Sequence, residues 1–342
     1  MRHGRAAQQR LCLSRVPGIE SPNCAGRAQS PQVCCKLFDA RLSVRKGTRL
    51  KTRDIVDLLL LGALWGASFL LMRVAAPEFG PIPLIEMRVG IGALFLLPVL
   101  ALRDGLATLK ERWQPVWAMG VFNTALPFCL FAFASLSISG ALASILNSSS
   151  PLWAALIAWL WMGERLNASR IAGLLTGFCG VLVLMSDKFA RPSEGVTLAI
   201  GAALLAALCY GYAANFARRT LVGIASLAVA TGTQIASAVL LAPLALVLWP
   251  AHPVSAQAWW SAVVLGVAST GIAYILYFRL IANIGAARAL AVTYLVPMFG
   301  IFWDATLLHQ WPGTRDVAGC VVILIGTALA TGMLTLPGRR AG

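Results

Sequence analysis

The 342-residue sequence is 58% apolar and only 12% charged, whereas an average soluble domain carries about a quarter charged residues, so a water-facing surface cannot be assembled and a soluble globular protein is excluded. The net charge of +15 would suit a nucleic-acid binder, but residues 1–53 hold twelve Lys or Arg against Glu20 and Asp39, leaving a net +5 for the rest. The basicity therefore belongs to a tail, and the remainder reads as an all-α integral membrane protein.

That tail, residues 1–53, carries Cys12, Cys24, Cys34 and Cys35 with Pro17, Pro22 and Pro31 and has no sustained apolar periodicity, so it is expected to be disordered. It reads as a leader that is not translated in the native protein, as a solvated segment lying on anionic lipid, or as an Arg-rich, acid-poor transit peptide. Phe38 apart, no aromatic residue is interleaved with its charges, so base stacking is not supported and no nucleic-acid partner is expected. From Asp54 onward, ten apolar windows are long enough to cross a core about 30 Å thick: 55–76, 82–102, 115–136, 139–162, 170–186, 196–217, 224–249, 258–281, 286–308 and 317–335. Their connections are short, so no soluble domain is inserted. Cys129, Cys179, Cys209 and Cys320 stand singly in these windows and read as small packing residues. No Cys/His cluster has metal-ligand spacing, and neither a metal nor a cofactor is implied.

Lys and Arg set the orientation. With Arg73 and Arg88, near the ends of spans, set aside, one alternate set of connections contains the tail, Arg103, Lys110, Arg112, Arg165, Arg170, Arg218, Arg219, Arg279, Arg288, Arg339 and Arg340, and the other only Lys188, Arg191 and Arg315. Both termini are therefore expected in the cytoplasm. The chain also repeats itself. A shift of 146 carries Gly120 onto Gly266, Thr124 onto Thr270, Pro151 onto Pro297, Gly173 onto Gly319 and Gly180 onto Gly326. Near the first span the register slips by one, so Trp65-Gly66 matches Tyr210-Gly211 and Arg73 matches Arg218. Five spans per half is an odd number, so the halves, residues 54–190 and 191–338, are expected as two inverted five-helix repeats. Such halves can rock about a central site and expose it to each side in turn; the plainer alternative is a duplicated bundle with no cavity.

Several motifs in order carry a resemblance: Trp65-Gly66 in the first span, Glu86-x-Arg88 opening the second, Pro151 in the fourth, Gly163-Glu164-Arg165 closing it, and a Gly-rich fifth span. From about Asp54 to Leu336 the chain resembles the EamA-type drug/metabolite transporters. The resemblance implies a ten-helix bundle that carries small organic solutes, often outward. One departure stands out: the second-half mates of Gly163 and Glu164 are His309 and Gln310, which puts the usual loop lock of that half in doubt.

Candidate residues follow from polar interruptions in apolar spans. In Asn147-Ser148-Ser149-Ser150-Pro151 the proline should bend the helix and free the Asn147 carbonyl. Asn147 and Ser148 could then meet a solute, or the cluster could simply bond neighbouring helices. Pro151 and its mate Pro297 are the candidate hinges. Trp65, Asn123, Tyr210, Tyr212, Asn215, Tyr274, Tyr277 and Tyr294 would line a mid-membrane cavity, with packing or interfacial anchoring as the alternative for each. Gly62/Gly66 and Gly173/Gly177 read as close helix contacts. By the resemblance, Arg88 gates or meets an anionic group; otherwise it snorkels to the headgroups. Asp304 shares a helix face with Thr293, Pro297 and Gly300, and is expected to face the cavity as a proton carrier or a partner for a cationic solute; alternatively it lies close enough to the outer surface to be hydrated and serves only to bind a neighbouring helix. The expected function is export of a small metabolite, amino acid or drug-like solute by alternating access across the plasma (inner) membrane, with protons as a candidate coupling partner. Against a multispan membrane enzyme, the spans hold no HExxH, no His and no paired carboxylates at catalytic spacing. A non-transporting sensor or scaffold is the other alternative.

Overall fold

The computed structural model describes residues 51–103, 106–190 and 194–334; the expectation of a disordered tail falls on residues that lie, but for the last three, outside the described ones. The described residues form α1 (Thr52–Phe79), α2 (Pro81–Ala101), α3 (Trp113–Ala134), α4 (Gly140–Met162), α5 (Ala168–Ala190), α6 (Glu194–Thr220), α7 (Ser226–Val247), α8 (Ala256–Ile284), α9 (Val292–Leu307) and α10 (Thr314–Ala330). No strand occurs among them. A helix pairs its backbone N–H and C=O groups within its own segment, which is what an apolar solvent demands.

By length and composition, α1 to α8 can each cross a membrane; α9 is apolar but has 16 residues, and α10 has 17. The window at 286–308 is thus shorter in the structure than in the sequence. Ala286–Ala289 coils into a separate turn, and the chain breaks at Leu290 and Ala291 before α9 starts.

The helices pair in a pattern that survives exchanging each with the one five places on. Thus α1 lies against α9 as α6 lies against α4, while α2 packs on α7, α4 on α9 and α5 on α10. Small residues set the closest approaches. A Cβ on Gly66 would stand 2.6 Å from Phe299 Cβ and 2.9 Å from Gly300 N, one on Gly62 2.8 Å from Leu295 Cβ, and one on Gly326 would run into the Gly177 backbone. The sequence pairs Gly62/Gly66 and Gly173/Gly177 are therefore contact surfaces between helices.

Two long helices contain a π turn, Val121–Ala125 in α3 and Val267–Ile272 in α8. Their starts are 146 residues apart, the same shift that relates the two halves of the sequence. A π turn adds a residue to the helical circuit and re-aims the side chains around it, which is why such turns gather at functional sites. Helices α1 and α8 are tied at both ends. At one end Arg279 Nε donates to Asp57 Oδ2 at 2.6 Å and Asn283 Nδ2 to Asp54 Oδ1 at 2.9 Å; at the other, Ser255 donates its N–H and hydroxyl to Glu78 at 2.6 and 2.7 Å.

Candidate functional site

Helix α4 is helical over Gly140–Asn147 and again over Ser150–Met162, with a break at Ser148 and Ser149. Pro151 lies in the first turn of the second segment, where a missing N–H does no harm. The Asn147 carbonyl, deprived of its helical donor by Pro151, accepts the Ser150 hydroxyl at 2.6 Å. Likewise Ser149 Oγ donates to Leu146 O at 2.7 Å and Ser148 Oγ to Ser144 O at 3.1 Å. The serines thus satisfy the backbone of their own bend. Its counterpart Pro297 is buried inside continuous helix, where it removes one hydrogen bond without a break.

A cavity of about 820 Å³ opens beside this break. Its mouth lies where α4, α6, α8 and α10 end and α5, α7 and α9 begin, with Glu164, Arg170, Arg218, Ser226, Thr293 and Thr331 on its rim. Its deep wall is Met72, Arg88, Phe128 and Phe131. Among the described residues, no lining comes from the opposite ends of α7 to α10, so on their side the cavity reaches only one end of the bundle.

Trp65, Arg88, Asn123, Asn147, Pro151, Tyr210, Asn215, Tyr274, Tyr277 and Tyr294 all line it. Besides Pro297, three candidates do not. Ser148 is buried, and its carbonyl accepts Thr327 Oγ1 of α10 at 3.1 Å. Tyr212 stacks on Trp161 at 5.4 Å and meets Phe122 at 4.9 Å, on the other side of α6. Asp304 is fully buried and turned to α4, where its Oδ2 accepts the Ala141 N–H at 2.7 Å. A carboxylate is favoured there because the first N–H groups of a helix have no partner within it. Of the two readings of Asp304, the geometry supports the link to a neighbouring helix, but the side chain is sealed from solvent rather than hydrated at the surface.

Phe128, Phe131 and Ser269 were missed, yet a signal for them existed. The 146-residue shift carries Phe128 onto Tyr274, Phe131 onto Tyr277 and Asn123 onto Ser269, and every one of these lines the cavity. The wall is therefore built from corresponding positions of the two halves, with Asn123 and Ser269 each placed by a π turn.

Arg88 is 4% exposed. Its Nε donates to Thr270 Oγ1 at 3.1 Å, its Nη1 points to Met72 Sδ at 3.8 Å, and its guanidinium carbon sits 3.8 Å from the Phe128 ring centroid, a stacked cation–π contact. At the rim, Glu164 forms salt bridges with Arg218 and, at 3.4 Å, Arg170. The hydrogen bond from Arg218 is the main cause holding the Glu164 carboxyl below its ordinary range, so it is ionised at neutral pH.

The profile of the EamA-like transporter family matches residues 55–186 and again 197–332. The chain belongs to the EamA-like transporter family. It is a multi-pass integral membrane transporter. Among its relatives, the uncharacterized transporter YvbV of Bacillus subtilis (strain 168) is 25% identical over 284 residues, 82% of this chain and 92% of that protein. The aromatic amino acid exporter YddG of Ancylobacter novellus is 28% identical over 256 residues, covering 70% and 83%. A crystal structure with TM-score 0.59 and 21% identity, covering 83% of this chain and 99% of its own, shares the fold.

The EamA-like loop after α4 has a counterpart after α9, despite the changed residues. Gly163 takes φ 67° and Glu164 N donates to Ala158 O at 3.2 Å; His309 takes φ 54° and Gln310 N donates to Asp304 O at 3.0 Å. The same left-handed stop ends α4 and α9, although glutamine cannot repeat the ionic clasp of Glu164.

Proposed function

We propose that this EamA-like protein is a secondary transporter that carries a small organic solute outward by alternating access. Ten spans form two inverted five-helix repeats, residues 54–190 and 191–338, in the plasma membrane with both termini cytoplasmic. The observation that carries this reading is the cavity walled by corresponding residues of the two halves. The five-place pairing of the helices, the matched π turns and the two successive family matches support the inverted repeat. With cytoplasmic termini, the rim at Glu164, Arg170 and Arg218 faces the cytoplasm, and the state is loaded from inside. The exporter name of the Ancylobacter relative supports the direction. Asp304, held on α4, has no part in coupling in this reading.

Ala214 lines the cavity and is exposed, so a large side chain there fills space without displacing packed neighbours. We predict that Ala214→Trp lowers flux at least about tenfold, by the loss of solute contact in a pocket of drug-sized volume, while membrane insertion and yield stay normal. Sealed proteoliposomes loaded with a cell metabolite extract, with efflux followed by mass spectrometry, provide the measurement. Equal efflux from variant, wild-type and protein-free vesicles would remove the transport reading.

A further inference from the structure

The charges of the cavity are one-sided. Arg88 sits in its deep wall, and among the described residues no carboxylate lies within ion-pair distance of it. Its neighbours are a hydroxyl, a thioether and a ring, from Thr270, Met72 and Phe128. None of these carries negative charge. A guanidinium cannot shed its proton, and a buried charge without a counter-charge is costly, so the deep wall is built to receive an anion. At the rim Glu164 is already held by two arginines, which leaves the entrance electropositive as well.

Beside uncharged amides and hydroxyls such as Asn123 and Ser269, the rest of the wall offers aromatic faces. Trp65 and Tyr277 have ring centroids 5.3 Å apart, Phe131 and Tyr210 stack at 6.1 Å, and Tyr274 stacks on Phe278 at 5.8 Å. Tyrosine and tryptophan faces of this kind favour a planar guest. An ammonium group on the same guest would meet the charge of Arg88 and no acid among the described deep-wall residues.

We propose that the cavity takes a monoanion with a flat apolar body, an aryl or indolyl carboxylate in kind, whose carboxylate docks on Arg88 while its ring lies against the Trp65/Tyr277 and Phe131/Tyr210 pairs. The inference rests on the transporter reading in one respect, that this anion is the solute carried. Zwitterions and cations of the same shape bind less well.

The test compares four ligands of one ring system on the full-length protein in nanodiscs by isothermal titration calorimetry: indole-3-propionate, its neutral amide indole-3-propionamide, tryptophan and tryptamine. The carboxylate is expected to bind at least about tenfold tighter than the amide, as a charge-assisted bidentate contact should, and tighter than tryptophan. Arg88→Gln removes that preference and Arg88→Lys keeps part of it. Equal affinity for carboxylate and amide in the wild-type protein overturns the proposal without requiring any variant to fold. So do tryptophan binding as tightly as indole-3-propionate, no carboxylate binding at millimolar concentration, and a folded Arg88→Gln protein that keeps the preference. Counterflow of the same compounds into proteoliposomes separates this proposal from the transport reading. Carboxylate binding without any flux leaves the anion site and removes transport, whereas flux of the amide with no response to the carboxylate removes the anion site and leaves transport.

Discussion

Asp304 Oδ2 accepts the Ala141 N–H at the start of α4, and Arg73, within electrostatic reach, donates to Ser135 O at 2.6 Å in the same region. The carboxylate therefore joins α9 to α4 at the end of the bundle opposite the cavity rim, away from the solute. Removing a buried acceptor strands its donor, at a cost on the order of 1–3 kcal/mol. We predict that Asp304→Ala lowers the thermal unfolding temperature in detergent but changes solute affinity less than about twofold, a shift well under 1 kcal/mol. Thermal unfolding and calorimetry on the same preparation check both halves of that statement, and a tenfold loss of affinity at unchanged unfolding temperature would return Asp304 to the site. The cavity was legible where a polar or aromatic residue interrupts an apolar span, as at Trp65, Asn123 and Tyr210. It was hidden at Phe128 and Phe131, because one phenylalanine in a phenylalanine-rich span says nothing about which way it faces. Tyr212 misled for a related reason: two residues on a helix is about 200° of rotation, so it cannot share the face of Tyr210.

The break in α4 depends on a competition for the Asn147 carbonyl. Pro151 cannot donate to it, and Ser150 does so at 2.6 Å instead. Alanine at 151 restores the N–H, and an ordinary helical bond from residue 151 to Asn147 joins the two segments. One such bond is worth about 1 kcal/mol net, enough to shift a two-state balance about fivefold. We predict that Pro151→Ala slows counterflow by about that factor at matched protein levels in vesicles; an unchanged rate would show that the break plays no part in transport. The bend was legible because proline has a fixed chemical effect on the residue four places back. The ends of α9 were not, since the apolar run continues through Ala286–Ala289 and composition cannot show that the chain turns at Leu290. Nor could the sequence show that His309 adopts the backbone of Gly163: a left-handed stop is readable from glycine, while histidine reaches it only when the surrounding fold holds it there.

At the scale of the molecule, the duplication was readable because matching residues recur at one fixed shift, and the five-place pairing of helices gives that arithmetic a spatial meaning. The pairing also distributes the short helices unevenly. In the proposed ten-span arrangement α9 and α10, of 16 and 17 residues, rise only about 24 and 26 Å, against a hydrocarbon core of about 30 Å. Lipid beside them must thin, or the helix ends must drag polar groups inward, and either deformation costs a fraction of a kcal/mol per Å. Because α9 packs on both α1 and α4, any tilt it adopts to relieve that mismatch is passed to the walls of the cavity. We predict that flux in phosphatidylcholine vesicles peaks at acyl chains of about 14 to 16 carbons and falls as they lengthen toward about 22, with a flat profile as the contrary result. Bilayer thickness then acts on this transporter as an elastic load, and the membrane it inhabits helps to set how fast it turns over.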